Sequence, residues 1–594
     1  MTTPRHRIPV MTLRRAVTGA VLAASVLVAV IAAARDIDPG DVVGGLGFVD
    51  QVEVTVVNID VFVRDRDGRP VTGLGRDDFR LVQDGIEREI SHFASYTEEV
   101  LVSILAPGPA PELSPDAEPG AGEGPAQPAA EAAASIEPVY LVIYVDNENL
   151  RPFDRKRVLG QTRRFIREIM KPHVRVMVVS GDRSATVIQP FTDDEKAVQD
   201  ALRAMDRRAG ARVEQDRDRG RIINELQQLP TEAAAGNVQQ ARAAARALEE
   251  RIRSYGEQLA MELEASVGSL REVLATLAGL QGRKVLVHVS SGLPAVPARD
   301  LVDWYGDVAQ RTSTLPLLAR LNRGYLFEAL ASSANAQGVT FYTIDAAGLG
   351  GHAPSSAEYS RPVDPLYAGV HAINLQEPLL LLAERTGGRA LVGSNDVTGL
   401  LESLREDLFT YYSIGHTLPT TGADTVHRIE VELPGHPEYR LVYRRTLVER
   451  SLETEVQDTV VSGLMLDLDD NPMGLELAAG EPRATTEDRW LLPVELTLPI
   501  ESVAMLPEGG DFVGRVVVFV ANRDARGRQS DIQRRQFEIR MPAADHAERR
   551  GERYVAEFEL LLNAGDHRVV VGVLDPVTRQ ASFVSVSESV PAGN

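Results

Sequence analysis

There is no cysteine among the 594 residues, which excludes disulfides, thiolate metal sites, cysteine nucleophiles and lipid attachment to a cysteine. Positive charge is in deficit: 63 Lys and Arg stand against 85 Asp and Glu, a formal net charge of -22. A nucleic-acid backbone is thereby excluded as the main ligand, and an anionic membrane surface as a charge-driven partner. The 11 histidines include no His-Glu-x-x-His and no pair at metal-ligand spacing. The glycines from Gly44 to Gly47 have no strand before them and no helix after, so they form neither a phosphate loop nor a dinucleotide fingerprint. What is present, 44% hydrophobic and 25% charged residues, is the composition of a folded chain. At roughly 150 residues per domain, about four structural units are expected, held together by core packing alone.

Residues 1–15 carry Arg5, His6, Arg7, Arg14 and Arg15 and no acid, and an apolar run over 16–34 follows, broken only by Thr18, Gly19 and Ser25. That order is an export signal, and Ala32-Ala33-Ala34 before Arg35 is a small-x-small cleavage site. The alternative is an uncleaved anchor through residues 16–34, since about 20 apolar residues span a bilayer. An exported chain without cysteine reads as a bacterial periplasmic, cell-surface or extracellular protein.

Residues 50–105 read as a small β unit: a strand over 52–63 with a bulge near Val56, then strands over 79–83 and 89–96 turning at Asp84-Gly85. Residues 106–137 are a Pro/Ala/Gly/Glu linker. Strands and helices alternate over 138–410, which predicts a mostly parallel sheet covered on both faces. On its first helix, expected over 153–170, Val158, Thr162, Phe165 and Ile169 form one buried stripe. Residues 207–264, rich in Ala, Arg, Glu and Gln, suit an inserted antiparallel helical hairpin, either a solvated projection or a partner-binding arm. A further helix is expected over 265–280 and another over 375–386. Strands over 411–450 are expected to pair with the first β unit in one β-sandwich into which the α/β domain is inserted. Alternating runs over 453–590 predict a separate immunoglobulin-like β-sandwich.

The order of several short motifs resembles the von Willebrand factor type A-related proteins first described from acidobacterial genomes. The motifs are Val61-Phe62-Val63-Arg64-Asp65 with Asp67-Gly68, Asp78-Phe79 and Asp84-Gly85, then Gly282-Arg283-Lys284, Ser290-Ser291-Gly292-Leu293, Ile344-Asp345, Thr386-Gly387-Gly388-Arg389 and Tyr411-Tyr412-Ser413-Ile414-Gly415. The resemblance runs from about residue 52 to 445. It implies a Rossmann-like α/β von Willebrand factor A-type domain with the helical-hairpin insertion, flanked on either side by β-sandwiches. It also implies a divalent ion at the C-terminal strand ends, capturing a partner's carboxylate.

The family holds that ion with Asp-x-Ser-x-Ser after the first strand, a threonine, and an Asp after the fourth. This chain departs from the pattern, reading Asp146-Asn147-Glu148-Asn149-Leu150 in the first loop and Ser291 in place of the second aspartate. The site is therefore degenerate, with Asp146, Glu148, Asn149 and Ser291 as the residues left to bind Mg²⁺ or another divalent cation. The competing reading has these polar residues capping a helix and tying loops together. No catalytic or cofactor-binding residue is assigned. A serine-type hydrolase built from His288, Ser290 or Ser291 and Asp345 is a further alternative, without a nucleophile elbow to support it. The expectation is an exported, non-enzymatic adhesion or scaffold protein that binds an unidentified protein partner through the strand-end loops at 146–151 and 290–294. Alternatively, it is a metal-independent structural component of the envelope.

Overall fold

Alternating valine and isoleucine side chains draw Val54–Arg64 (β1) into a strand, the first element of the computed structural model, which describes residues 54–98, 100, 138–171, 173–208, 212–234, 238–310, 313–351, 362–419, 423–468, 470–486 and 489–591. The export signal or anchor over 1–34 and the linker over 106–137 lie outside the described residues. β1 pairs with residues 411–419 in unbroken register, so there is no bulge at Val56. The apolar pattern changes phase because β1 buries both faces: Ile59, Val61 and Val63 enter a sandwich core, while Phe62 on the other face lies 4.9 Å from the Arg283 guanidinium. β2 (Arg80–Gln83), β3 (Ile86–Arg88) and β4 (His92–Tyr96) follow. The strand expected over 89–96 is thus confined to β4, with the separate strand β3 before it: the two belong to different sheets, and buried Ile90 sits where the chain crosses between them.

The α/β region opens with β5 (Val139–Asp146), α1 (Pro152–Ile169), β6 (Val174–Gly181), β7 (Ala185–Thr192) and α2 (Glu195–Met205). It continues through α3 (Arg212–Ala234), α4 (Val238–Ala278), β8 (Arg283–Ser290), α5 (Arg299–Val308), α6 (Leu315–Leu321), α7 (Gly324–Ala336), β9 (Val339–Asp345), α8 (Pro365–Thr386), β10 (Ala390–Leu391) and α9 (Thr398–Phe409). The sheet order is β10-β9-β8-β5-β6-β7, parallel except for β7, which runs antiparallel to β6. One face is covered by α1, α2 and α9, with Val158, Phe165 and Ile169 of the expected stripe in its core. The other is covered by the second half of α4 together with α7 and α8.

Two expectations about the insertion are corrected. It does not end at 264, because α4 runs 41 residues without a break, roughly 60 Å at 1.5 Å per residue. Nor is it a solvated arm: Ile222, Ile223 and Leu226 of α3 and Leu248 and Ile252 of α4 pack with Leu301, Val302 and Trp304 of α5 in a core of their own. Each fully buried aliphatic side chain there contributes roughly 1.5–3 kcal/mol, which favours docking over projection. Helix α8 starts ten residues earlier than the apolar stripe indicated, at Pro365 behind the N-cap Asp364. Its first turns leave Leu366 and Ile373 exposed, so no buried periodicity announced them. Gly387 closes it in the left-handed region at φ +79°.

The chain then returns to the first β unit. β11 (Tyr411–Pro419), β12 (Thr425–Glu432), β13 (Arg440–Tyr443) and β14 (Thr446–Glu449) complete two sheets, β13-β1-β11-β4 and β14-β12-β2-β3, around a core that includes Phe79, Leu81, Ile414 and Ile429. Residue 453 does not start a strand: Leu452–Gly463 is a helix (α10), N-capped by Ser451. It packs Val456 and Val460 on Phe519, Val570 and Phe583 of the last region. That region, from Glu476 to Val590, consists of two antiparallel sheets enclosing Leu492, Val494, Val518, Phe558 and Val571.

Candidate functional site

The C-terminal strand ends of the parallel sheet gather Asp146 from β5, Gly181 from β6, Ser290 from β8 and Asp345 from β9. Asp146 is buried, and its carboxylate accepts hydrogen bonds from Asn149 Nδ2, 3.0 and 2.9 Å from its two oxygens, and from Ser290 Oγ at 2.7 Å. Burial pushes its pKa up to about 6 against the pull of those hydrogen bonds. His288 Nε2 stands 3.9 Å from the same carboxylate, but neither ring nitrogen has a hydrogen-bond partner and burial lowers the imidazole pKa to about 3. The imidazole is therefore neutral at physiological pH, and no ion pair forms.

Of the four residues expected to bind a metal, Asp146 and Asn149 come together, but through an amide N–H₂ that donates to the carboxylate. Glu148 lies among Asp182, Arg183 and Glu262, and its pKa is raised by partial burial and by Asp182. Ser291 is buried with its hydroxyl unpartnered, and Ser290 takes the place beside Asp146. Leu150 is in the core. Among the described residues no group of three His, Asp or Glu side chains is placed to hold an ion. A hard divalent ion needs about six converging oxygens, whereas here donors already occupy the one carboxylate at the centre, so the residues present do not fit it.

The hydrolase geometry is not assembled either. Ser290 donates to Asp146, His288 reaches no hydroxyl, and Asp345 accepts from Ala347 N at 3.1 Å and Gln376 Nε2 at 2.8 Å.

Over this face lies a roof that sequence reasoning missed. Arg151 Nε donates to Asp216 of α3 at 2.8 Å, Arg219 Nη2 to Asp300 of α5 at 2.5 Å, and His371 of α8 stands 3.4 Å from Asp300. Burial alone would raise the Asp300 pKa, but Arg219 and His371 outweigh it and hold the carboxyl well below its ordinary range. Burial, and then Arg219, lowers His371 to about 4. Asp216, Arg219, Asp300 and His371 line a cavity of about 30 Å³, room for about one water. The only signal in the sequence was the spacing Arg212, Asp216, Arg219, which places the three on one face of a helix. Residues 290–293 are buried, so that loop is not the open contact surface expected of it.

The close packing yields a direct test. A Cβ at Gly181 would stand 2.1 Å from the Tyr144 hydroxyl, and Tyr144 is buried and tied to Ser269 Oγ at 2.8 Å. Gly181→Ala is expected to cost about 1–3 kcal/mol by overpacking, read from urea unfolding; an unchanged midpoint would mean that Tyr144 yields freely.

No protein-family model matches the chain, and no curated protein matches it. Among solved structures it is similar to an aerotolerance-related membrane protein from Bacteroides fragilis NCTC 9343, at 11% identity over 46% of this chain and 98% of that one, TM-score 0.22. It is similar also to a von Willebrand factor type A protein from Catenulispora acidiphila (11% identity, 77% of this chain, 66% of that one, TM-score 0.19). A third is the pilus adhesin SpaC from Lactobacillus rhamnosus GG in its open conformation (9% identity, 77% and 53%, TM-score 0.22). Likeness this slight decides neither fold nor function. Among the described residues no helix is long and apolar enough to cross a membrane.

Proposed function

We propose that this chain is an exported, non-enzymatic scaffold of the von Willebrand factor type A-related kind, whose α/β domain works without a metal ion and meets a protein partner at the rim of its roofed face. The observation that carries the reading is Asp146: a buried carboxylate saturated by Asn149 and Ser290 beneath helices α3 and α5. A catalytic or metal centre must present its groups to a ligand, and these groups are turned inward. Export rests on the basic-then-apolar order of residues 1–34. The rim offers two large apolar side chains to solvent, Phe153 in the first turn of α1 at 77% exposure and Leu349 after β9 at 74%, the kind of residue that anchors a protein interface.

The test is thermal unfolding in EDTA and then in millimolar Mg²⁺, Mn²⁺ or Ca²⁺, beside Asp146→Asn, with fluorophosphonate labelling in parallel. No ion is expected to shift the transition and no serine to be labelled. Stabilisation by about 2.7 kcal/mol at 100 times the dissociation constant, lost in Asp146→Asn, would establish a metal centre instead, and a label on Ser290 a hydrolase.

A further inference from the structure

At the opposite, N-terminal end of the sheet lies a cavity of about 350 Å³, lined by the end of α4, the start of β8, the split sandwich and α10. Four cations line it: Arg283, Lys284, Arg444 and Arg450. Three have structural partners. Lys284 Nζ donates to the carbonyls of Leu277 and Leu280 at 3.2 and 2.8 Å, closing the C-terminus of α4. Arg450 pairs with Asp458 and donates to Ala336 O at 3.1 Å. Arg283 lies 4.9 Å from each of the Phe62 and Tyr411 rings and donates to Asp407 O at 2.6 Å.

Arg444 differs from these. It is partly buried, yet no hydrogen bond or ion pair holds it among the described residues. Its Nη1 lies over Gly338, where a Cβ would come within 2.6 Å and where φ is +69°, so the backbone there is bare to make room for the guanidinium. Three carboxylates share the wall with these cations: Asp60 is 3.6 Å from Arg283 Nε, Glu449 is 3.4 Å from His427 Nε2, and Glu455 belongs to α10. Burial presses the Arg444 pKa down, while Asp60 pulls it up more strongly than Arg450 pushes it down. The Arg444 nitrogens are not among the buried, unpartnered ones of the described residues, so they are open to the cavity, and a guanidinium fork matches an oxyanion bidentately.

We propose that this cavity binds a small oxyanion, a phosphate or carboxylate group, on the Arg444 guanidinium, with Arg450 and Lys284 adding positive potential. A cavity of this size accepts a small molecule carrying such a group. The site is independent of the roofed face and of the function proposed for it.

The experiment uses the full chain. Inorganic phosphate is titrated by ³¹P line broadening and succinate by thermal unfolding in chloride-matched buffer, each with the wild type, Arg444→Gln and Arg444→Lys. At least one anion should bind the wild type, at least tenfold more weakly to Arg444→Gln, and with an intermediate loss in Arg444→Lys, which keeps the charge but not the fork. Binding of phosphate alone would assign a phosphoryl ligand, and of succinate alone a carboxylate ligand. Without added anion, Arg444→Gln should unfold at the wild-type temperature or above it. The proposal is overturned if neither anion binds the wild type, or if Arg444→Gln binds as the wild type does.

Discussion

Replacing Asp407 with alanine is expected to destabilise the protein by about 3–5 kcal/mol, the cost of leaving a buried cation without its partner. Asp407 is buried near the end of α9 and accepts from Arg64 of β1 and, at 2.5 Å, from the Tyr342 hydroxyl of β9. Arg389 Nε stands 3.7 Å away, and the Asp407 carbonyl accepts from Arg283. One carboxylate thus links the split sandwich, the parallel sheet and the last helix of the inserted domain. Arg64 itself is only 4% exposed, and its remaining acidic neighbour, Glu406 at 3.5 Å, is part-exposed. The double replacement Arg64→Met with Asp407→Leu should recover part of the loss, because well-packed apolar groups can substitute for a buried pair, while the buried Tyr342 hydroxyl is left without its acceptor. Urea unfolding of the wild type and the two variants decides the matter. A loss below about 1 kcal/mol in Asp407→Ala would show the pair to be screened like a surface bridge.

Acid is the second lever. Histidines 288 and 371 have folded pKa values of about 3 and about 4, below the ordinary 6.5 of the unfolded chain. The unfolded state therefore binds their protons first, and stability falls as pH drops from 6.5 towards those values. Asp146, raised to about 6, acts the other way: folded protein binds its proton first, so stability rises as pH drops from 6 to the unfolded aspartate value near 3.8, partly offsetting the histidines. Together these three groups withdraw on the order of 5 kcal/mol between pH 6.5 and 3. His288→Leu should remove the larger share. Because its ring nitrogens satisfy no partner, the variant is expected to match or exceed wild-type stability at pH 7. Its advantage should then grow by about 1.4 kcal/mol per pH unit below 6.5. An unchanged acid slope in His288→Leu would place the titration elsewhere.

What was legible beforehand follows from which side chains face a core. The stripe on α1 was readable because Val158, Phe165 and Ile169 recur at helical spacing and all enter one core. On β1 the same logic misled, since a strand with two buried faces mimics a change of register. The roof was hidden because Ile222, Leu226, Leu248 and Ile252 are diluted among Ala, Arg, Glu and Gln, and because its partners come from α5 and α8, far away in sequence. At the strand ends the error was a single residue. β8 pairs Val289 with Ile344 and Ser290 with Asp345, and it is Ser290 that reaches Asp146. Ser291 lies one residue past the end of β8, so aligning the motif there chose the hydroxyl that does not reach Asp146. Charge-pair geometry of the kind joining Arg219 to Asp300 leaves no local pattern at all.

The insertion of the α/β domain between β4 and β11 also has a mechanical meaning. Its two connections emerge side by side, since Tyr96 and Tyr411 are cross-strand neighbours with rings stacked 4.8 Å apart. Tension applied along the chain enters at Val54, which is paired with Pro419 at the same end of the sandwich. The load should therefore unzip the β1–β11 ladder rung by rung, while the inserted domain, closed at its neck by the two tyrosines, carries no force until that ladder has opened.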